Sequence, residues 1–134
     1  VSTDRLPTSE EEWRERLGLQ QYQVLRLGGT EPAFTGAYWD AKDPGLYRCG
    51  GCASELFRSE TKYDSGTGWP SFTEPIRPDA VTYHRDASAG MVRTEVRCAT
   101  CDGHLGHVFP DGPGPDGQRF CMNSAALELE PEQG

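Results

Sequence analysis

A chain of 134 residues with 13 basic and 21 acidic side chains carries a formal charge of −8. It has the length of one ordinary domain and the wrong sign of charge for nonspecific binding to phosphate, so nucleic acid is not an expected partner. No apolar run reaches the ~18 residues that a membrane span needs.

The opening "VSTDRLPTSEEE" is polar and acidic and lacks the basic-then-apolar pattern of a signal peptide. A cytoplasmic protein is therefore the expectation. The 16 glycines and 10 prolines are spread along the chain, which suits short strands and tight turns better than long helices. No repeat or linker divides it, so residues 1–134 read as a single domain with residues 1–8 and 130–134 as flexible ends.

Ser9 followed by Glu12 fits a capping box, so "SEEEWRERLG" predicts a helix. Three acids in its first turn suit the helix dipole, and Gly18 suits its end. The apolar spacing of "LQQYQVLRLGG" predicts a second short helix that again ends in glycine. "TEPAFTGAYWD" reads as loop. From Leu46 the pattern changes to strands. "VTYHRD", "MVRTEVR" and "HLGHVF" are short and rich in β-branched and aromatic residues, and "QRFCMNSAALEL" begins as another. "PDGPGPDG" between the last two is a loop by composition. Residues 104–109 and 118–124 then form a long-looped antiparallel hairpin with His107 across from Phe120 or Cys121.

Cys49-Gly-Gly-Cys52 and Cys98-Ala-Thr-Cys101 are two CxxC knuckles. Four thiolates from two hairpins suit a tetrahedral Zn²⁺, and they leave no open position for a substrate, which makes such a zinc structural. Gly50 and Gly51 would let the first knuckle fold tightly. The spacing also admits two disulfides or a redox dithiol. A cytosolic chain argues against the first, and the lack of a thioredoxin-like βαβ pattern argues against the second.

Cys121 is the fifth cysteine. On a strand, Arg119, Cys121 and Asn123 share one face while Phe120 and Met122 share the other. A thiol beside a guanidinium is expected to titrate below its ordinary ~8.5, as a nucleophile should. The competing reading is an inert buried cysteine. His104 and His107 would point to opposite faces of a regular strand, but Gly106 permits a bulge that brings both to one site. There they could exchange protons with a thiol, or instead form a second metal site or lie on the surface. Asp111 could orient an imidazole or cap its loop, and His84 reads as a surface residue. Trp69 in "GTGWPSF" either fills the core or walls an apolar pocket beside the thiol.

Four stretches together resemble one family, the methionine-R-sulfoxide reductases of the B type: "GTEPAFTGAYW", "YRCGGCASELFRSETKYDSGTGWPSF", "VRCATCDGHLGHVFPDGP" and "RFCMNSAALEL". The resemblance implies a mainly β fold of two antiparallel sheets, tent-like or barrel-like, with short N-terminal helices. It implies one structural zinc on Cys49, Cys52, Cys98 and Cys101. It makes Cys121 the nucleophile, with His104, His107, Arg119 and Asn123 around it and Asp111 behind. Trp69 and Phe109 would hold the substrate's methyl group. The implied substrate is methionine sulfoxide in a peptide or protein, or free, reduced by a monomer through a cysteine sulfenic acid. Many family members carry a second cysteine in the loop before the tryptophan, as S-G-C-G-W. Here the loop reads Ser65-Gly66-Thr67-Gly68-Trp69, so the sulfenic acid would wait for an outside thiol, thioredoxin or a small dithiol. A zinc-stapled β domain that binds a ligand without chemistry, and a thiol peroxidase, remain alternatives at this point.

Overall fold

The computed structural model describes residues 9–87, 90–114 and 116–131. Both predicted helices are present, α1 over Glu10–Arg16 and α2 over Leu19–Leu25. The Ser9 side chain accepts the Glu12 N–H at 3.2 Å, which is the cap the sequence announced. Gly18 serves as the N-cap position of α2, one residue beyond the extended Leu17 that closes α1. The pair buries Trp13, Leu17, Tyr22, Val24 and Leu25. Arg26 lies over the Trp13 ring at 4.4 Å and donates to the Cys101 carbonyl at 2.9 Å, so the helices are fastened to the second knuckle. No helix among the described residues is long and apolar enough to cross a membrane.

Nine strands among the described residues form two antiparallel sheets. β1 (Gly45–Cys49), β2 (Glu55–Arg58) and β9 (Leu127–Pro131) form the smaller, in the order β2-β1-β9. The larger has the order β3-β4-β8-β7-β6-β5, from β3 (Lys62–Tyr63), β4 (Ser71–Phe72), β5 (Val81–Asp86), β6 (Arg93–Cys98), β7 (His104–Phe109) and β8 (Arg119–Met122). The stretch read as one strand from 118 onward is broken by a 3-10 turn at Ser124–Ala126, and the chain then crosses to the smaller sheet as β9. Glu130 pairs with Leu46 and Pro131 with Gly45, so the flexible end expected from residue 130 is strand as far as 131. The rest of that expectation, 1–8 and 132–134, lies outside the described residues.

The two sheets meet through aromatic rings. Phe57 of the smaller sheet stacks on Phe72 of the larger at 4.4 Å, Tyr47 meets Phe72 edge-on at 5.2 Å, and Phe57 reaches Phe120 at 5.9 Å. Phe72, Val96, Leu105, Phe120 and Met122 are fully or nearly fully buried on that inner face. Because side chains alternate along a strand, everything one residue out of phase with this set faces the other way.

That outer face is where polar chemistry collects. The pairing runs Tyr63↔Ser71, Ser71↔Cys121, Cys121↔His107, His107↔Glu95 and Glu95↔His84, one straight row across six strands. Directly opposed residues of antiparallel strands point the same way, so phenol, hydroxyl, thiol, imidazole, carboxylate and imidazole stand side by side. A second row two residues along reads Arg119↔Phe109 and, on the outer hairpin, Arg93↔Asp86.

Candidate active site

The expected bulge is present in β7. Val96 pairs with Gly106 but Arg97 pairs with His104, so Leu105 is the extra residue. Leu105 turns into the core, and His104 turns out onto the face of His107, with the two rings 5.4 Å apart and edge to face. Gly106 is needed for contact rather than for its torsions. A Cβ there would run into the Cys121 carbonyl oxygen and lie 2.9 Å from the Met122 Cα. β8 therefore lies against β7 only because residue 106 has no side chain, and that approach sets Cys121 directly opposite His107.

Cys121 is half-buried in the wall of a cavity of about 250 Å³ that Thr67, Trp69, Arg93, His107, Phe109 and Arg119 also line. The indole of Trp69 is held by its N–H, which donates to the Glu31 carbonyl at 2.9 Å. Gly66 and Gly68, at φ 75° and 88°, flank Thr67 in the turn before it. Thr67 stands in that turn with its hydroxyl 2.8 Å from the Ser65 hydroxyl, which lies 2.7 Å from that of Ser71.

The thiol does not titrate as expected from its neighbours in sequence. Burial pushes the Cys121 thiol above its ordinary value, and the Arg119 guanidinium and the Thr67 hydroxyl pull it back only in part. Arg119 is not a free charge. It holds Asp111 through two bonds, Nε–Oδ1 at 2.8 Å and Nη2–Oδ2 at 3.2 Å, and it lies over the Phe109 ring at 4.5 Å. Asp111 is thus the anchor of Arg119, not of an imidazole, and Arg119 keeps its carboxyl below the usual carboxylate range.

Each histidine has a carboxylate instead. His107 Nε2 is 2.7 Å from Asp86 Oδ2, and His104 Nδ1 is 2.7 Å from Glu95 Oε2. Arg93 and Arg97 back these acids at 3.2 and 3.0 Å. Burial holds His104 below the ordinary histidine value despite Glu95. His84 is half-buried, bonded to Thr82 at 2.9 Å, and takes no part in the cavity.

Asn123 lies in the cavity wall, but both ends of its amide are engaged elsewhere. Its Oδ1 accepts the Glu31 N–H at 3.0 Å and its Nδ2 donates to the Leu105 carbonyl at 3.1 Å. Glu31, absent from the sequence reading, is the centre of this arrangement. It is 3 % exposed, and its carboxylate accepts the N–H groups of Ser124 and Ala125, both at 2.9 Å. A side chain on Gly36 would run into that carboxylate. The quoted loop "GTEPAFTGAYW" is therefore a strap that ties Trp69, the bulged β7 and the end of β8 together.

The four remaining cysteines converge. Their sulfurs all lie within 4.8 Å of one another, with Cys49–Cys101 at 3.7 Å and Cys52–Cys98 at 3.5 Å. A tetrahedron with zinc–sulfur bonds of ~2.3 Å has edges of about 3.8 Å, so this group could hold a metal ion. The two knuckles share one backbone. Ala53 and Asp102 donate to the carbonyls of Cys49 and Cys98 at 2.8 and 2.9 Å, and both sit in the left-handed region at φ 65° and 63°. Since the second knuckle makes this turn with Ala99 and Thr100, the turn does not require Gly50 and Gly51. Gly51 instead leaves room for Trp13 and Cys101, which a Cβ would meet at 3.3 and 3.6 Å. The second knuckle is also the β6–β7 connection, three residues before His104, so whatever braces it braces the bulge.

Comparison with known proteins places this arrangement. The fold resembles that of the Mis18 'Yippee-like' domain, with a TM-score of 0.55 over 68 % of this chain and 99 % of that one at 16 % identity, a likeness of fold alone. Sequence relatives are nearer. A protein of Agrobacterium fabrum named peptide methionine sulfoxide reductase MsrB is 54 % identical over 98 % of this chain and 97 % of its own. Proteins of the same name from a Synechococcus species and from Bradyrhizobium diazoefficiens are each 57 % identical, over 95 % and 98 % of this chain and 93 % and 95 % of theirs. The SelR domain matches residues 17–131. The chain belongs to the SelR-domain family, that of the B-type methionine sulfoxide reductases.

Proposed function

We propose that this chain reduces the R epimer of methionine sulfoxide, in peptides and proteins and in the free amino acid, and so repairs oxidised methionine. The observation that carries the reading is the Cys121–His107 pair, opposed across two strands in the wall of a cavity edged by Trp69 and Phe109.

The chemistry follows from the groups. A thiolate attacking a sulfoxide sulfur cannot expel oxide, so the oxygen must gain a proton as its bond to sulfur breaks. Cys121 attacks the sulfoxide sulfur and His107 protonates the oxygen, with His104 in the adjoining ring position. The protonated oxygen then shifts from that sulfur to Cys121 as the new sulfur–sulfur bond breaks, which leaves a sulfenic acid on Cys121 and methionine as the thioether. Arg119, braced by Asp111, and Thr67 oppose the cost of burying the thiolate. Asn123 contributes through position, because it ties β7 to the strap that carries Trp69. Trp69 and Phe109 take the methyl group. An S epimer would exchange methyl for oxygen and set a polar atom against the indole, which disfavours it.

Thr67 stands where many relatives have a second cysteine, so regeneration falls to an outside thiol, thioredoxin or a small dithiol. One thiol displaces water from the sulfenic acid to give a mixed disulfide, and a second releases Cys121. The four-cysteine group holds one zinc through Cys49, Cys52, Cys98 and Cys101. That zinc supplies a cross-link between β1 and the β6–β7 turn and no open coordination position. The chain works as a single-domain cytoplasmic monomer. Turnover assays with each diastereomer, on wild type and Cys121→Ser, test the reading. Consumption of the R epimer alone, abolished by the substitution, supports it. Activity that survives Cys121→Ser overturns it.

A further inference from the structure

Two acids that the sequence reading passed over, Asp86 and Glu95, stand behind the two histidines, and one of them bears on how His107 works. We propose that Asp86 is a positioning residue that fixes the proton of neutral His107 on Nε2 and leaves Nδ1 as the nitrogen that serves the substrate. The proposal rests on the reductase reading for its consequence in catalysis and on geometry for its structural part.

Asp86 ends β5 and faces Arg93 across the β5–β6 hairpin. The Arg93 guanidinium is 3.2 Å from Asp86 Oδ2, and the same oxygen is 2.7 Å from His107 Nε2. Both side chains of the ion pair are largely covered, at 24 % and 18 % exposure. A carboxylate that shares an oxygen with an arginine can only accept, so the proton between Asp86 and His107 belongs to Nε2. In the neutral ring the lone pair then sits on Nδ1, by the logic that lets a buried acid choose a histidine's tautomer. No hydrogen bond from the described residues reaches Nδ1, and His107 lines the cavity opposite Cys121. Nδ1 is therefore the atom that would pick up a proton from the thiol or from solvent and deliver it to the sulfoxide oxygen.

His104 is arranged in the opposite sense. Glu95 holds its Nδ1, and its Nε2 is buried without a partner among the described residues. The two rings thus leave different nitrogens without a partner among the described residues, and of the two only His107 borders the cavity.

An Asp86→Asn substitution keeps the shape and reverses the logic, because an amide N–H can donate to Nε2 and drive the ring proton to Nδ1. Nitrogen-15 NMR of the histidine rings at pH 8, on zinc-loaded protein without substrate, reads the tautomer directly. Wild type is expected to carry the His107 proton on Nε2, and Asp86→Asn to shift it toward Nδ1. Asp86→Asn should also lower kcat by about 100-fold with KM changed less than about threefold, within the usual range for a lost proton donor. Asp86→Glu should restore part of the rate and the wild-type tautomer. A wild-type ring protonated on Nδ1, or an Asp86→Asn enzyme within threefold of wild-type kcat, overturns the proposal. Should Asp86→Asn fail to fold, the wild-type spectrum and Asp86→Glu still decide it. The reductase reading fails separately, if wild type turns over no sulfoxide whatever its tautomer.

Discussion

Replacing Glu31 by glutamine tests the strap on which the site depends. The carboxylate accepts two backbone N–H groups, from Ser124 and Ala125, both at 2.9 Å, and it is 3 % exposed. Glutamine keeps the volume but brings a single acceptor oxygen. One N–H retains a partner, now neutral, and the other faces an amide NH₂ in a buried position. Hydrogen bonds to charged groups contribute ~1.5–3 kcal/mol each, and a buried donor left unpaired costs ~1–3 kcal/mol. The expected loss is about 3 kcal/mol, which for a chain of this size lowers the melting temperature by about 10 °C. Urea unfolding of zinc-loaded protein at pH 7 measures it, with Glu74→Gln as an exposed control expected to change stability by less than ~0.5 kcal/mol. Amide exchange should quicken at Ser124 and Ala125 first. A Glu31→Gln protein within ~1 kcal/mol of wild type would refute the claim that this buried acid organises the loop.

Other consequences are as direct. Gly106→Ala places a methyl against the Cys121 carbonyl oxygen, so β8 must move. Stability should fall by ~1–3 kcal/mol or more, and sulfoxide reduction should fall further than stability explains, as shown by unfolding and kinetics on the same sample. Burial raises the Cys121 thiol and Arg119 lowers it. Its alkylation by iodoacetamide, followed on the Cys121 peptide, should rise with pH through a midpoint above the ordinary ~8.5. Arg119→Met should move that midpoint higher still, and an unchanged or lower midpoint would contradict the assignment. Chelation of the metal, or Cys52→Ser, should release one zinc per chain. It should cost several kcal/mol, because the four cysteines that would hold the ion come from β1 and its following turn and from the β6–β7 turn. Metal analysis with thermal melting checks both.

What could be read from the sequence was what local pattern encodes. The strands at 81–86 and 104–109 are short, rich in β-branched and aromatic residues and bounded by turn residues, and the bulge is legible in two histidines around a glycine. β3 and β4 have two residues each, too few to alternate. The passage from β8 to β9 was hidden because "NSAALEL" continues the apolar run while the chain changes sheet. Acids were the weak point. Glu31, Asp86 and Glu95 look like solvated charges, since the site groups they hold lie 92 to 94 residues away for Glu31, and the histidines 21 and 9 residues away for Asp86 and Glu95. The Arg119–Cys121 neighbourhood was visible, but not the Asp111 clamp or the burial that outweighs it.

The central claim is that one sulfur, that of Cys121, takes the oxygen from the substrate. Intact mass after a single exposure to methionine-R-sulfoxide, without reductant and with zinc retained, measures this most directly. The account predicts one added oxygen, located on Cys121, with one methionine released per chain and neither event with the S epimer. Methionine released from a chain of unchanged mass, or from one that has lost two hydrogens to a new disulfide, would contradict it.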